Sequence, residues 1–162
     1  MSMARMTPLE GVRVLDLSWL LPGPFASAVL ADLGADVIKI ERPEGGDYLR
    51  ALLPDLFEKV NFGKRSVALD LKSEGGLAGF HRLARGADVV IEAFRPGVAQ
   101  RLAVDAATPS ALNPRLVYVS VNGYGDSGPM RDRPGHDINY QALAGALGIP
   151  GHWGEPPRRG GL

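Results

Sequence analysis

The chain has 162 residues, a size that suits one ordinary domain with its own core, and 18 Lys and Arg residues balance 18 Asp and Glu residues. This neutral charge gives no indication of a nucleic-acid partner, and the absence of cysteine excludes disulfides, thiolate metal ligands and cysteine nucleophiles. No run approaches the about 18 consecutive apolar residues of a membrane helix, and the first seven residues lack the apolar run of a signal peptide. We therefore expect a cytoplasmic protein without a membrane span.

The predicted elements alternate between strands and helices. In chain order, the apolar patterns predict a strand over 11–17, a helix over 25–33, a strand over 36–41, a helical turn over 53–60, a strand over 66–71, a helix over 73–85, a strand over 87–92, a helix over 96–103, a helical turn over 109–112, a strand over 116–121 and a helix over 138–147. Ser73 is predicted to cap its helix, and Pro96 to be the first residue of the next one. The mostly apolar strand over 116–121 predicts burial on both faces.

Strands that alternate with helices indicate an α/β fold with a Rossmann-like open parallel sheet and flanking helices. In such a sheet the ligand lies beyond the carboxyl ends of the strands. A cation follows three of the predicted strands, at Arg42, Lys72 and Arg95, which indicates a phosphate-bearing ligand held by charge-assisted contacts. For any one of these cations, a solvated surface position is the simpler interpretation. No Gly-x-Gly-x-x-Gly or Walker-type motif is present, which disfavours a standard dinucleotide or nucleoside-triphosphate site.

A histidine stands where the last predicted helix begins. Pro134 and Gly135 interrupt regular secondary structure, and His136 and Asp137 follow them. Asp137 or Asn139 can cap the helix by accepting a hydrogen bond from a backbone N–H. A helix N-terminus offers N–H donors and the positive end of a dipole, which suits an imidazole that accepts a proton beside a developing oxyanion. A surface histidine beside an ordinary cap explains the same pattern, and spacing alone favours that second interpretation.

A series of short motifs is more specific. In order they occupy residues 9–17, 22–25, 31–41, 63–72, 87–92, 94–98, 113–118 and 123–125, and Gly135-His136-Asp137-Ile138-Asn139-Tyr140 follows them. On these residues the sequence resembles the family III CoA-transferase superfamily over nearly its whole length, and within it the α-methylacyl-CoA racemases most. The resemblance implies an acyl-CoA thioester as substrate, no prosthetic group, and an interlocked homodimer in the full-length enzyme.

The resemblance also implies which residues bind coenzyme A. Arg42 would meet the phosphates, and residues 69–72 would line the adenine and 3′-phosphate region. Residues 92–95, at and after the end of the fourth strand, would form the next wall, and residues 135–140 would lie near the thioester. The implied contacts are Arg42, Leu69, Asp70, Leu71, Lys72, Glu92, Ala93, Phe94, Arg95, Gly135, Asp137 and Tyr140. By the same resemblance, His136 would be the catalytic acid/base.

The histidine points towards racemase chemistry, since the transferases usually carry another residue at this position. A 2-methylacyl-CoA racemase moves a proton between the two faces of one carbon through an enolate, which needs an acid/base group on each face. The segment over 53–63 instead resembles the longer loop of the transferases, which move CoA between carboxylates through an aspartyl anhydride. A non-catalytic CoA-binding module is the third interpretation.

We expect residues 1–150 to form the CoA-binding α/β domain of a longer enzyme, and residues 151–162 to form a Gly/Pro-rich loop before a second domain. The aspartate that the resemblance places opposite the histidine is expected beyond Leu162. Asp137 is adjacent to His136 and is better interpreted as a cap or a CoA contact. The 162-residue chain alone is therefore expected to show little or no racemisation.

Overall fold

A computed structural model describes residues 7–148 and 154–156 of the chain. The chain forms two compact units, residues 1–121 and residues 122–162. The predicted boundary between a domain over 1–150 and a loop over 151–162 falls on residues outside the described part, so that division stays a prediction. No helix within the described ranges is long and apolar enough to cross a membrane.

The first unit is built on one sheet of five parallel strands, in the order β3-β2-β1-β4-β5. The strands are β1 (Arg13–Asp16), β2 (Asp36–Glu41), β3 (Arg65–Ala68), β4 (Val89–Glu92) and β5 (Val117–Ser120). Each corresponds to a predicted strand, and the predicted α/β fold with a Rossmann-like open parallel sheet is confirmed.

Helices connect the strands and continue into the second unit. They are α1 (Pro22–Asp32), α2 (Leu49–Leu52), α3 (Pro54–Asn61), α4 (Glu74–Ala84), α5 (Val98–Arg101), α6 (Ala107–Leu112) and α7 (Asp137–Leu143), with a 3-10 turn at Ala146–Gly148. Ser73 caps α4 as predicted, since its Oγ accepts a hydrogen bond of 3.0 Å from the Gly76 N–H. The prediction that Pro96 begins a helix is wrong. Gly97 adopts φ 82°, a left-handed conformation that suits glycine, and helical structure begins only after it.

An apolar layer covers each face of the sheet, because successive strand residues point to opposite sides. On one face, strand residues such as Leu15 and Val90 pack with Phe80 and Ala84 of α4. On the other, Val14, Val37, Ile91 and Ala35 form a second cluster, against which Leu30 and Ala31 pack. The second face becomes polar towards the carboxyl ends of β1 and β2, where Asp16 and Lys39 are buried.

Strand β5 differs from its prediction. It is the last strand in the sheet order, paired with β4, and the side chains of Val117 and Val119 are 56% and 38% exposed. The prediction of burial on both faces is therefore wrong for the described structure. An apolar run indicates that a strand can be buried, but the position of the strand in the sheet decides whether neighbours cover it.

The first turn of α4 packs directly on the segment that follows β3. A Cβ atom added at Gly76 would lie 2.0 Å from the carbonyl oxygen of Asp70, whereas one added at Gly75 would meet nothing within 4 Å. We expect Gly76→Ala to lower the free energy of unfolding by about 1–3 kcal/mol, because backbone must move. The matched Gly75→Ala is expected to raise it by up to about 1 kcal/mol through helix propensity. Chemical denaturation measures both, and equal effects would contradict this close contact.

Candidate functional site

A cleft of about 590 Å³ lies in the first unit, at the carboxyl ends of β1, β2, β3 and β4. Its lining comes from the last two residues of β2 and from residues that follow the four strands. They are Leu17, Trp19, Ile40, Glu41, Arg42, Pro43, Glu44, Tyr48, Leu69, Asp70, Leu71, Lys72, Phe94, Val98 and Leu102. The place of the cleft agrees with the rule that open α/β sheets bind ligands beyond the carboxyl ends of their strands.

The cleft brings together six of the residues implied as CoA contacts, which are Arg42, Leu69, Asp70, Leu71, Lys72 and Phe94. Glu92 lies at the end of β4, is only 4% exposed, and accepts a 2.7 Å hydrogen bond from the Phe94 N–H. It therefore shapes the turn that presents Phe94 to the cleft. Ala93 and Arg95 belong to the same connection but are not among the described lining residues.

Arg42 is held by a backbone carbonyl and by two aromatic rings. Its Nε donates a 3.0 Å hydrogen bond to the Gly46 carbonyl, and its Cζ lies 4.4 Å from the centroid of the Tyr48 ring and 5.4 Å from that of Trp19. The two rings themselves meet edge to face, with centroids 5.1 Å apart. A cation over aromatic faces is stabilised by the ring quadrupoles.

Glu41 is the last residue of β2 and anchors the segment that follows it. Its carboxylate accepts hydrogen bonds from the Arg50 guanidinium at 2.7 and 2.9 Å, from Ser66 Oγ at 2.7 Å and from the Asp47 N–H at 2.8 Å. Burial alone would raise the pKa of Glu41, but these donors favour the charged form and lower the pKa to about 2.

This low pKa predicts a contribution to stability that depends on pH. The carboxyl of Glu41 has a pKa of 4.5 when unperturbed and about 2 in the folded protein, so its contribution is complete above pH 4.5. It is lost as the pH falls from about 4.5 towards 2, and amounts to up to about 3 kcal/mol. We expect the free energy of unfolding of Glu41→Gln to change less over this range than that of the wild type. Urea titrations at pH 5 and pH 3 give the free energy of unfolding of each protein at each pH. An equal change in this free energy between the two pH values in Glu41→Gln and the wild type would contradict this.

A buried ionic network lies under the N-terminal end of α1. The carboxylate of Asp16 is fully buried and accepts hydrogen bonds from the Ser18 N–H at 2.9 Å, from Ser18 Oγ, from Ser27 Oγ at 2.5 Å and from Lys64 Nζ at 3.2 Å. Lys64 Nζ also donates to the Pro24 carbonyl at 2.8 Å, to Ser27 Oγ at 2.7 Å and to Asn61 Oδ1 at 2.9 Å. Burial lowers the pKa of Lys64, and Asp16 opposes that shift.

A second buried pair continues this network towards the cleft. Lys39 Nζ lies 2.9 Å from Asp47 Oδ2, and both side chains are at most 1% exposed. Asp47 Oδ1 accepts hydrogen bonds from the Leu20 N–H at 3.1 Å and the Leu49 N–H at 3.0 Å. Through these hydrogen bonds Asp47 connects the turn after β1 with the start of α2. Leu20, in that turn, has φ 64°.

The second unit contains the predicted histidine. His136 is the N-cap residue of α7, as its position after Pro134 and Gly135 predicts. Asn139 rather than Asp137 provides the side-chain cap, since Asn139 Oδ1 accepts a 2.9 Å hydrogen bond from the His136 N–H. Asp137 accepts a 2.6 Å hydrogen bond from Gln141 Nε2.

Tyr140 packs inside the second unit. Its ring meets that of Tyr124 edge to face, with centroids 5.1 Å apart. A Cβ atom added at Gly123 or Gly135 would lie 2.1 or 2.7 Å from Tyr140 atoms, so these glycines leave the space that the ring occupies. Gly135, Asp137 and Tyr140 thus form the local surroundings of His136, and their contact with coenzyme A stays a prediction.

Two aromatic residues of the cleft were missed by sequence reasoning. Trp19 carried a usable signal, since it lies three residues beyond the end of β1. The rule that ligands lie beyond the carboxyl ends of strands, which identified Arg42 after β2, applies there too. Tyr48 carried none, because it lies seven residues beyond β2 and returns to the cleft through the contacts of Asp47.

The fold and the cleft define a class of protein, the open-sheet α/β proteins that bind a ligand at the carboxyl ends of their strands. The sequence gives the particular family. Residues 9–162 match the family described as CoA-transferase family III, and the chain belongs to it.

Named relatives of this chain include both transferases and racemases. It is 41% identical to the succinate–glutarate CoA-transferase of Agrobacterium fabrum, over 98% of this chain and 43% of that protein. It is 44% identical to the human α-methylacyl-CoA racemase, over 92% of this chain and 37% of that protein. A crystal structure of a CAIB/BAIF family protein from Brucella suis superposes with a TM-score of 0.92 at 37% identity, over 98% of this chain and 44% of that one. The chain thus spans about two fifths of the length of these relatives.

Proposed function

We propose that the chain forms the CoA-binding part of an acyl-CoA enzyme, a 2-methylacyl-CoA racemase that uses His136 as one of its two acid/base groups. The observation that carries the CoA site is the cleft at the ends of four parallel strands, where Arg42 and Lys72 accompany apolar side chains and the acidic residues Glu41, Glu44 and Asp70. Glu41 is already paired with Arg50. Cations there suit the phosphates of coenzyme A, and the apolar lining suits the uncharged parts of the ligand.

The racemase assignment is supported by the segment from Gly135 to Tyr140, which holds a histidine at the start of α7. An imidazole changes protonation state near neutral pH, which suits a group that removes a carbon-bound proton and later returns one. Racemisation breaks the Cα–H bond, leaves its electron pair in an enolate, and forms a new Cα–H bond on the other face. His136 serves one face, and a second acid/base group is required for the other.

A family III CoA-transferase is the second candidate. It is supported by the identity to the succinate–glutarate enzyme and by residues 53–63, which contain the whole of α3 and the turn before β3. In such a reaction a protein carboxylate displaces the CoA thiolate from the acyl-CoA and forms a mixed anhydride, and the thiolate then attacks the protein carbonyl, which gives an enzyme–CoA thioester and releases the first carboxylate. The acceptor carboxylate displaces the thiolate from this thioester to form a second anhydride, and the thiolate attacks its substrate carbonyl, which yields the new acyl-CoA and frees the protein carboxylate. Asp137 is adjacent to His136, and we assign it to the CoA side of the site rather than to that role.

One experiment separates the two reactions. The full-length enzyme that we propose to contain this chain is incubated with (S)-2-methylacyl-CoA in D₂O and, separately, with succinyl-CoA and labelled glutarate, because the 162-residue chain alone is expected to show little or no racemisation. Deuterium at the α-carbon together with loss of optical purity is the result that the racemase proposal predicts. Transfer of CoA to glutarate without α-exchange would assign the protein to the transferases. CoA binding without either reaction would favour a non-catalytic binding module.

A homodimer in the cytoplasm completes the proposal. The outer stripe of α1 exposes Leu21, Phe25, Val29 and Leu33, at intervals of four residues. A helix with apolar residues on its outer side as well as its inner side is typical of a helix that is covered in the assembled protein. This stripe supports association with a second copy, and the absence of cysteine fits a reducing compartment.

A further inference from the structure

We propose that Trp19 and Tyr48 are positioning residues, which hold the Arg42 guanidinium in the wall of the cleft for the phosphates of coenzyme A. This inference rests on the proposed function, and it adds two residues to the site that the family resemblance did not supply. Both rings line the cleft together with Arg42.

The contacts of Arg42 leave one part of the guanidinium uncommitted. Nε donates a 3.0 Å hydrogen bond to the Gly46 carbonyl, and the centroids of the Tyr48 and Trp19 rings lie 4.4 and 5.4 Å from Cζ. Nη1 lies 3.5 Å from the Tyr48 hydroxyl, too far for a strong hydrogen bond, and Nη2 makes no hydrogen bond to the described residues. The two Nη groups are those that bind phosphate oxygens in pairs.

The turns that carry the two rings are held by the buried side chain of Asp47. Asp47 accepts hydrogen bonds from the N–H groups of Leu20 and Leu49, which are the residues directly after Trp19 and Tyr48. Because Asp47 is fully buried and paired with Lys39, both ring-bearing turns are fixed by the same side chain. An arginine held this way loses less conformational freedom on binding than one on a free surface, and preorganisation of this kind strengthens binding.

A competing role for the rings is to stack on the adenine of coenzyme A directly. The two roles predict different results when Arg42 is absent. If the rings act through Arg42, their removal has no further effect in an Arg42→Ala background. If they contact the nucleotide, their removal weakens binding equally in both backgrounds.

The experiment is a set of calorimetric titrations with coenzyme A. Tyr48→Leu and Trp19→Leu are each expected to weaken binding roughly 3- to 10-fold, whereas Tyr48→Phe retains the ring and stays within about 2-fold of the wild type. In the Arg42→Ala background, each Leu substitution is expected to change the affinity by less than about 2-fold. Phe62→Leu, at an aromatic residue that is 81% exposed and outside the described cleft lining, is the matched control and is expected to change nothing.

A readout that needs no ligand accompanies the titrations. In the wild type the Arg42 Nε–H signal is expected to be shifted by the ring currents and protected from exchange, and Tyr48→Leu is expected to reduce both properties, since only the Gly46 carbonyl and Trp19 then hold the side chain. Equal losses in both backgrounds, or unchanged affinity in both Leu variants, would overturn the positioning role while leaving CoA binding intact. A wild type that shows the protected signal but binds no coenzyme A would overturn the proposed function and the role together.

Discussion

Replacement of Asp16 with alanine is expected to lower the free energy of unfolding by about 3–5 kcal/mol, the largest stability effect in this protein. The substitution removes a carboxylate that is fully buried and leaves the Lys64 ammonium, whose side chain is 1% exposed, without its counter-ion. The hydroxyls of Ser18 and Ser27 lose their acceptor at the same time. Breaking a buried pair costs far more than the pair contributes, because the remaining charge stays buried without its partner.

A matched control separates burial from charge. Asp36 also lies in a strand and pairs with Arg65 at 2.6 Å and Arg13 at 3.0 Å, but these side chains are partly solvated. Asp36→Ala is therefore expected to cost only about 0–1 kcal/mol. The double variant Asp16→Ala/Lys64→Met is expected to be more stable than Asp16→Ala, because it removes both charges. Guanidinium denaturation measures all three, and similar losses for Asp16→Ala and Asp36→Ala would contradict the role of the buried network.

In the full-length enzyme that we propose to contain this chain, replacement of His136 with glutamine is expected to reduce α-proton exchange of 2-methylacyl-CoA by about 10²- to 10⁴-fold. The amide of glutamine cannot accept and return a proton, although it retains polar contacts. The affinity for coenzyme A is expected to stay within about 2-fold of the wild type, because only the chemical step loses a participant. Exchange measured by NMR in D₂O, together with calorimetry, separates the two quantities.

The control for this prediction is His81→Gln. His81 Nε2 lies 3.0 Å from the Ala103 carbonyl, and this contact belongs to the packing of α4 in the first unit. The variant is therefore expected to exchange α-protons at the wild-type rate once folded. Full exchange activity in His136→Gln would exclude this histidine as the acid/base and would favour the transferase candidate.

The sheet could be predicted from the sequence because its strands are apolar runs separated by turn residues. Residues 36–41 were predicted with the bounds that β2 shows, and the cap of α4 followed from Ser73 alone. The exposure of β5 could not be predicted, since it depends on the place of that strand in the sheet rather than on its own residues.

The candidate site was predicted in part for a similar reason. Arg42 directly follows β2 and Lys72 lies four residues after β3, so the rule that ligands bind beyond the carboxyl ends of strands locates both from the sequence. The contribution of Tyr48 depends on a chain reversal fixed by the Lys39–Asp47 ion pair, and the sequence gives no sign that these two residues meet. Asp16 and Lys39 did carry a signal, since Asp16 stands between Leu15 and Leu17 and Lys39 between Ile38 and Ile40, but the sequence does not give the identity of their partners.

The central claim is that the cleft at the strand ends binds coenzyme A, and titration of the protein with coenzyme A and with NAD tests it most directly. We predict binding of coenzyme A in preference to NAD, weakened by about 10-fold in Arg42→Ala and in Lys72→Ala, since each loses a charge-assisted contact to phosphate. Arg65→Ala, a surface control paired with Asp36 at the start of β3, is expected to leave the affinity unchanged. Preference for NAD, or coenzyme A binding that neither cleft substitution weakens, would contradict the account.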